Sequence, residues 1–88
     1  MRILKFGAIW CMNCLFMEPI WQEIQDELDG LAIENFDADD DAETHKKFNI
    51  KDVPTTIFIN DGGNEIFRFE GIKEKEELKK IINEHLIL

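Results

Sequence analysis

Apolar positions fall in alternating short and long blocks along the chain. Arg2–Ala8 is short, apolar and ends at a small-residue turn, which predicts a buried strand. Over Met12–Leu28 the residues Leu15, Phe16, Ile20, Ile24 and Leu28 recur at helical spacing, which predicts a helix with these side chains inward. Pro19 inside that segment predicts a kink, and Asp29-Gly30 ends it with a turn. Leu31–Phe36 reads as a second strand. Asp39–Phe48 reads as a short helix capped by Asp39 or Asp40, with Glu43 completing a capping-box pattern after Asp40. Thr55–Ile59 and Glu65–Phe69 read as strands joined by the turn Asp61-Gly62-Gly63-Asn64. Gly71 breaks the chain before a last helix, Lys73–Leu86. That helix carries Leu78, Ile81, Ile82 and Leu86 on one face, and Glu74, Glu76 and Glu77 at its dipole-favoured start.

The predicted order is β-α-β-α-β-β-α. A β-α-β unit followed by a hairpin implies an α/β domain spanning 1–88, with a mixed four-stranded sheet flanked by three helices on both faces. Such a domain buries roughly 60–65% of its unfolded surface. A hydrophobic content of 44% suffices for a core. The net charge of −9 argues against nucleic acid and against anionic membrane surfaces as partners. No apolar run approaches the ~20 residues of a spanning helix. The N-terminus has a basic start and an apolar stretch, but Lys5 interrupts it and no small-residue cleavage site follows, so it reads as a strand and not as a secretion signal. The expected compartment is the reducing cytoplasm. There, closely spaced cysteines are more often redox-active or metal-binding than a static staple.

The only two cysteines form Cys11-Met12-Asn13-Cys14, directly after Trp10. Cys11 falls at the first turn of the predicted helix, where unsatisfied N–H groups and the helix dipole stabilise a thiolate over a thiol. A thiolate is the attacking species in disulfide exchange. Cys14 lies one turn on, expected to be shielded by the helix, and could resolve a mixed disulfide on Cys11. Two other readings stand beside this one. Free cysteines are often inert core residues. A cysteine pair can also be half of a zinc site, but the only histidines, His45 and His85, lie forty residues apart on separate predicted helices. Sharing of a metal between two chains through Cys11 and Cys14 is a further version of the same idea.

Trp10-Cys11-Met12-Asn13-Cys14 resembles the active site of the thioredoxin family. Pro19, five residues after Cys14, stands where thioredoxins carry a helix-kinking proline. Val53-Pro54-Thr55 matches the family's cis-proline loop, Phe6 precedes the cysteines at the family's interval, and Gly71 stands where the family has a glycine beside its substrate groove. The resemblance covers the whole chain. It implies a protein-disulfide oxidoreductase with Cys11 and Cys14 as catalytic residues and no cofactor beyond their redox-active disulfide. Trp10, Met12, Asn13, Val53, Pro54 and Gly71 would bind substrate, and Val53 could pair with a bound peptide by strand addition. A cis-proline without an N–H would leave room for a substrate sulfur. The implied partners are protein disulfides and, as electron donor, a flavoprotein thioredoxin reductase or glutathione; the implied state is a monomer.

The chain also departs from the family pattern. The family's first strand and helix have no counterpart ahead of Cys11, which makes the expected fold a minimal, glutaredoxin-sized version. Met12-Asn13 replaces the usual Gly-Pro, so reductant and oxidant roles are both compatible. Asn13 also keeps an N–H that proline would lack, expected near the Cys11 sulfur. Lys5 replaces a buried aspartate. It either runs its stem along apolar surface with its ammonium in water near Glu34 or tunes a cysteine thiolate electrostatically. A glutathione-dependent glutaredoxin is favoured by length, but Glu70-Gly71-Ile72-Lys73 stands where its Gly-Gly-x-Asp-like element would be, and an acidic surface offers few cations for glutathione. A metal-binding or adaptor module is the non-enzymatic alternative. Asp37-x-Asp39-x-Asp41 imitates a calcium loop but has Ala42 in place of the glycine and Phe48 in place of the bidentate glutamate, so it reads as a solvated helix start. Met17 reads as core, and His45 and His85 as surface helix residues.

Overall fold

The computed structural model describes residues 1–28 and 30–86, without the Leu86 side chain. Asp29 of the expected turn and the expected inward packing of Leu86 therefore lie outside the described residues. The elements are β1 (Arg2–Gly7), α1 (Met12–Glu27), β2 (Ala32–Asp37), α2 (Ala42–Lys47), β3 (Thr55–Ile59), β4 (Glu65–Glu70) and α3 (Lys75–Leu86). They form one mixed sheet of order β2-β1-β3-β4, with β1 parallel to β2 and antiparallel to β3, and β4 closing the β3 hairpin.

β1 is central and buried on both faces. Alternation sends Ile3 to one face and Leu4 and Phe6 to the other, all at most 2% exposed. On the first face Ile3, Phe58 and Phe69 meet Met17, Trp21 and Ile24 of α1 and Leu78 and Ile82 of α3. On the second, Leu4, Phe6, Ile57 and Ile59 pack with Phe36, Phe48 and Ile50, beside α2. Each fully buried large side chain contributes about 1.5–3 kcal/mol relative to exposure. Glu27 of α1 joins the two helices of the first face by accepting from Lys75 at 2.5 Å and Lys79 at 2.9 Å on α3.

The helix spacing located α1 but misjudged its phase. Its inward residues are Met17, Trp21 and Ile24, with Ile20 and Leu28 partly covered. Leu15 and Phe16, expected inward, are 56% and 61% exposed. Met17, Trp21 and Ile24 follow a 3.6-residue period equally well, and the same stripe extends back to Cys14, so the face that docks is the one that carries the sulfur.

α2 is shorter than expected. It begins at Ala42 behind Asp41, which makes no side-chain cap. The expected caps at Asp39 and Asp40 do not form, because Asp37 Oδ1 captures the Asp39 and Asp40 N–H groups at 2.8 and 3.2 Å. Asp41 Oδ2 accepts from the Asp37 N–H at 2.9 Å. The acidic run thus closes its own loop by side-chain-to-backbone bonds, the competition with helix formation expected of aspartate. These backbone bonds also hold the Asp37 carboxyl below the usual range. α3 starts at Lys75, two residues later than expected, with the Glu74 carbonyl accepting from Leu78.

His45 is not a surface residue, and His85 is half-buried. His45 is buried, donates from Nε2 to the Phe36 carbonyl at 3.0 Å and meets the Phe6 ring edge-on. His85 donates from Nδ1 to the Ile81 carbonyl at 2.8 Å and packs on Phe58 and Phe67.

Met17→Ala should lower the unfolding free energy by about 2–5 kcal/mol. Phe16→Ser, one residue away on the open face, should change it by less than about 0.5 kcal/mol. Denaturant titrations of both variants check the phase of α1; equal losses would refute it.

Candidate active site

After β1 the chain turns tightly, with the Cys11 N–H donating to the Ala8 carbonyl at 3.1 Å. The turn leaves Cys11 extended at φ −86°, ψ 110°, as the N-cap of α1. Its Sγ accepts the Cys14 N–H at 3.1 Å, the bond an N-cap side chain ordinarily takes from the third helical residue. The donor is Cys14, and not Asn13 as expected. A helix N-terminus with an N–H aimed at the sulfur is a setting that accommodates negative charge there. Both cysteines are free thiols.

Their burial reverses the sequence expectation. Cys11 retains only 6% of its surface, whereas Cys14 is half-buried. The reason is local. Cys11 is enclosed in the turn between strand and helix, while Cys14 faces a cavity of about 330 Å³. Cys14 nonetheless is the thiol that resists ionising. Burial foremost, then its hydrogen bond to Cys11 and the charges on Cys11 and Glu18, push it up to about 11, against an opposing backbone bond at Ala8.

Of the residues expected to bind substrate, the structure brings Pro54 beside Cys14 and ties Gly71 to Pro54. Val53-Pro54 is a cis peptide, and Pro54 lines the same cavity as Cys14. The loop is tied down from both sides. Thr55 Oγ1 donates to the Asp52 carbonyl at 2.6 Å, and the Gly71 N–H donates to the Pro54 carbonyl at 2.8 Å. Gly71 sits at φ +85°, a left-handed conformation that favours glycine. Trp10 is 67% and Met12 76% exposed, and Asn13 is exposed beside them. Ile9, Leu15 and Phe16 extend this apolar rim and were not expected in it.

Lys5 lines the same cavity as Cys14 and Pro54. Its side chain is 13% exposed, with Nζ 3.3 Å from Glu18 Oε1 and 5.1 Å from the Trp21 ring centre. The expected approach to Glu34 does not occur. Glu34 is in register with Leu4 and so points to the opposite face, where Arg2 takes it. Two residues were missed. Glu18 stands one helical turn after Cys14, a spacing visible in the sequence. Gly7 abuts the sulfur: a Cβ there would lie 3.1 Å from Cys14 Sγ. Nothing in the sequence signalled that contact. Among the described residues, no three His, Cys, Asp or Glu side chains converge as a metal-binding group, and no helix is long and apolar enough to cross a membrane.

This geometry has close parallels. The family model described as Thioredoxin matches residues 1–84. A Bacillus subtilis thioredoxin is 34% identical over 96% of this chain and 81% of its own length. A Chlamydia pneumoniae thioredoxin is 32% identical over 94% and 80%. Among solved structures, a Fasciola hepatica thioredoxin superposes with TM-score 0.86 at 28% identity, over 96% of this chain and 79% of that one. A Nicotiana alata thioredoxin superposes with TM-score 0.87 at 28% identity, over 96% and 71%.

In Cys11→Ala the hydrogen bond and the charge from Cys11 are lost, so Cys14 should titrate below about 11. Thiolate absorbance against pH reads the remaining thiol directly. An unchanged titration would show that Cys11 does not hold the Cys14 proton.

Proposed function

The chain belongs to the thioredoxin family and is a protein-disulfide oxidoreductase, and on that premise we propose that Cys11 and Cys14 are its redox-active pair. The observation that carries this is the bond from the Cys14 N–H to Cys11 Sγ at the helix N-cap, beside a partner thiol pushed up to about 11. One sulfur is placed to carry charge and the other keeps its proton, which divides the roles of attack and resolution.

Cys11 attacks a substrate disulfide. A Cys11–substrate bond forms, the substrate S–S bond breaks, and the first substrate sulfur leaves as a thiolate. Cys14 then loses its proton to solvent and attacks Cys11 Sγ, releasing the second substrate thiolate. The cysteine pair is oxidised by two electrons and the substrate disulfide is reduced to two thiols, so the protein needs no cofactor. The shallow exposure of Cys11 restricts approach to an extended segment laid along Trp10, Met12, Asn13, Val53, Pro54 and Gly71, with Val53 offering backbone pairing. The protein works as a monomer in the reducing cytoplasm, regenerated by a flavoprotein thioredoxin reductase or by glutathione.

Cys11→Ser should abolish reduction of insulin disulfides with the fold intact by circular dichroism. Cys14→Ser should trap a covalent mixed disulfide on Cys11, seen by mass spectrometry. Retained turnover in Cys11→Ser, or trapping on Cys14 instead, would overturn the assignment.

A further inference from the structure

The cavity behind the cysteine pair contains a charge pair. Because side chains alternate along a strand, Lys5 and Gly7 share one face of β1, about 7 Å apart. Cys14 Sγ rests against that face at Gly7, where a Cβ would come within 3.1 Å. Glu18 follows Cys14 by one turn on the same side of α1. Lys5, Cys14 and Glu18 thus line one cavity, together with Trp21, Asn35 and Asp37. Lys5 is held there by the Glu18 carboxylate and the Trp21 ring, with little of its side chain left to solvent.

We propose that Lys5 and Glu18 act as a matched charge pair on Cys14, the ammonium favouring negative charge on its sulfur as it resolves a mixed disulfide, and the carboxylate holding that ammonium in place while opposing early ionisation. Both are positioning residues, and the proposal rests on Cys14 being the resolving sulfur. The charged groups facing Cys14 are few. α1 supplies Cys11 and Glu18, β1 supplies Lys5, and β2 supplies Asp37, whose carboxylate is committed to the Asp39 and Asp40 N–H groups. β3 contributes only Thr55 and Thr56 to the cavity wall. The Glu18 charge is one of the influences that raise Cys14. A cation lining the same small cavity as a thiolate favours its charged form, and an anion opposes it.

The two members of the pair therefore have opposite signatures. Reaction with the aromatic disulfide 5,5′-dithiobis(2-nitrobenzoate) releases one coloured thiol when Cys11 attacks and a second when Cys14 resolves, so stopped-flow absorbance separates the steps. Lys5→Met should move the pH midpoint of the second phase upward by about one unit and slow it about tenfold at fixed pH below the midpoint. Glu18→Gln should move it downward and speed the second phase. The double variant should return towards the parent, and Lys5→Arg, which keeps the charge, should stay near it. Damage to the fold would slow both single variants alike. A second-phase midpoint that is unmoved in both, or that moves the same way in both, overturns the proposal. Should Lys5→Met fail to fold, Glu18→Gln decides alone, since that side chain is 62% exposed. A parent protein that shows no second phase would instead overturn the reading of Cys14 as the resolving sulfur.

Discussion

The docking of the first turn of α1 onto the end of β1 is the contact on which the other features of the site depend. Ile3 beneath Trp21 and Met17 brings the helix down on the sheet, and Cys14 Sγ meets the backbone at Gly7. A Cβ at Gly7 would press on the sulfur, which would have to shift by a few tenths of an ångström. The same docking aims the open N–H of α1 at Cys11 and leaves Trp10 and Met12 outside. It also turns Cys14, Glu18 and Trp21 towards the Lys5 side chain. The setting of the two thiols is thus a consequence of a packing decision, made by the large apolar residues further along the helix.

Two chemically identical thiols stand in different electrostatic surroundings. Across the molecule the charge is −9, a field that disfavours further negative charge on any sulfur. At Cys11 the helix terminus points an N–H at the sulfur, and at Cys14 burial and Glu18 add to that field. Lys5 is the mostly buried cation close to this region, and its partner Glu18 keeps the pair neutral overall. Glu18 is largely exposed, so the Lys5 stem is covered while its ammonium meets a carboxylate at the solvent edge of the cavity.

Much of the fold was legible in the chain. The strands of β1 and β3, the hairpin at Gly62-Gly63 and the order of elements follow from apolar blocks and turn residues. Cys11 at a helix start, Pro54 and Gly71 could be placed because each is tied to local backbone chemistry: a cap, a proline loop, a left-handed glycine. The phase of α1 was not legible, since Leu15 and Phe16 satisfy the helical period as well as Met17 and Trp21 do. The start of α2 was missed because four nearby aspartates compete for the same N–H groups, and Asp37 at the strand end won. His45 was misplaced because ring packing on Phe6 is not a pattern in sequence.

The amino-acid sequence by itself determined the elements, their order and the identity of the two thiols. Those depend on residues within a turn or two of one another, where propensity, periodicity and capping act. Only the tertiary structure decided which thiol is enclosed, which keeps its proton, and what stands behind it. Gly7 and Lys5 reach Cys14 and Glu18 across a strand–helix interface, and the partner of Lys5 followed from strand register, which sent Glu34 to the far face. Burial and charge at a sulfur are sums over neighbours brought in from several elements, and no local stretch of the chain contains that sum.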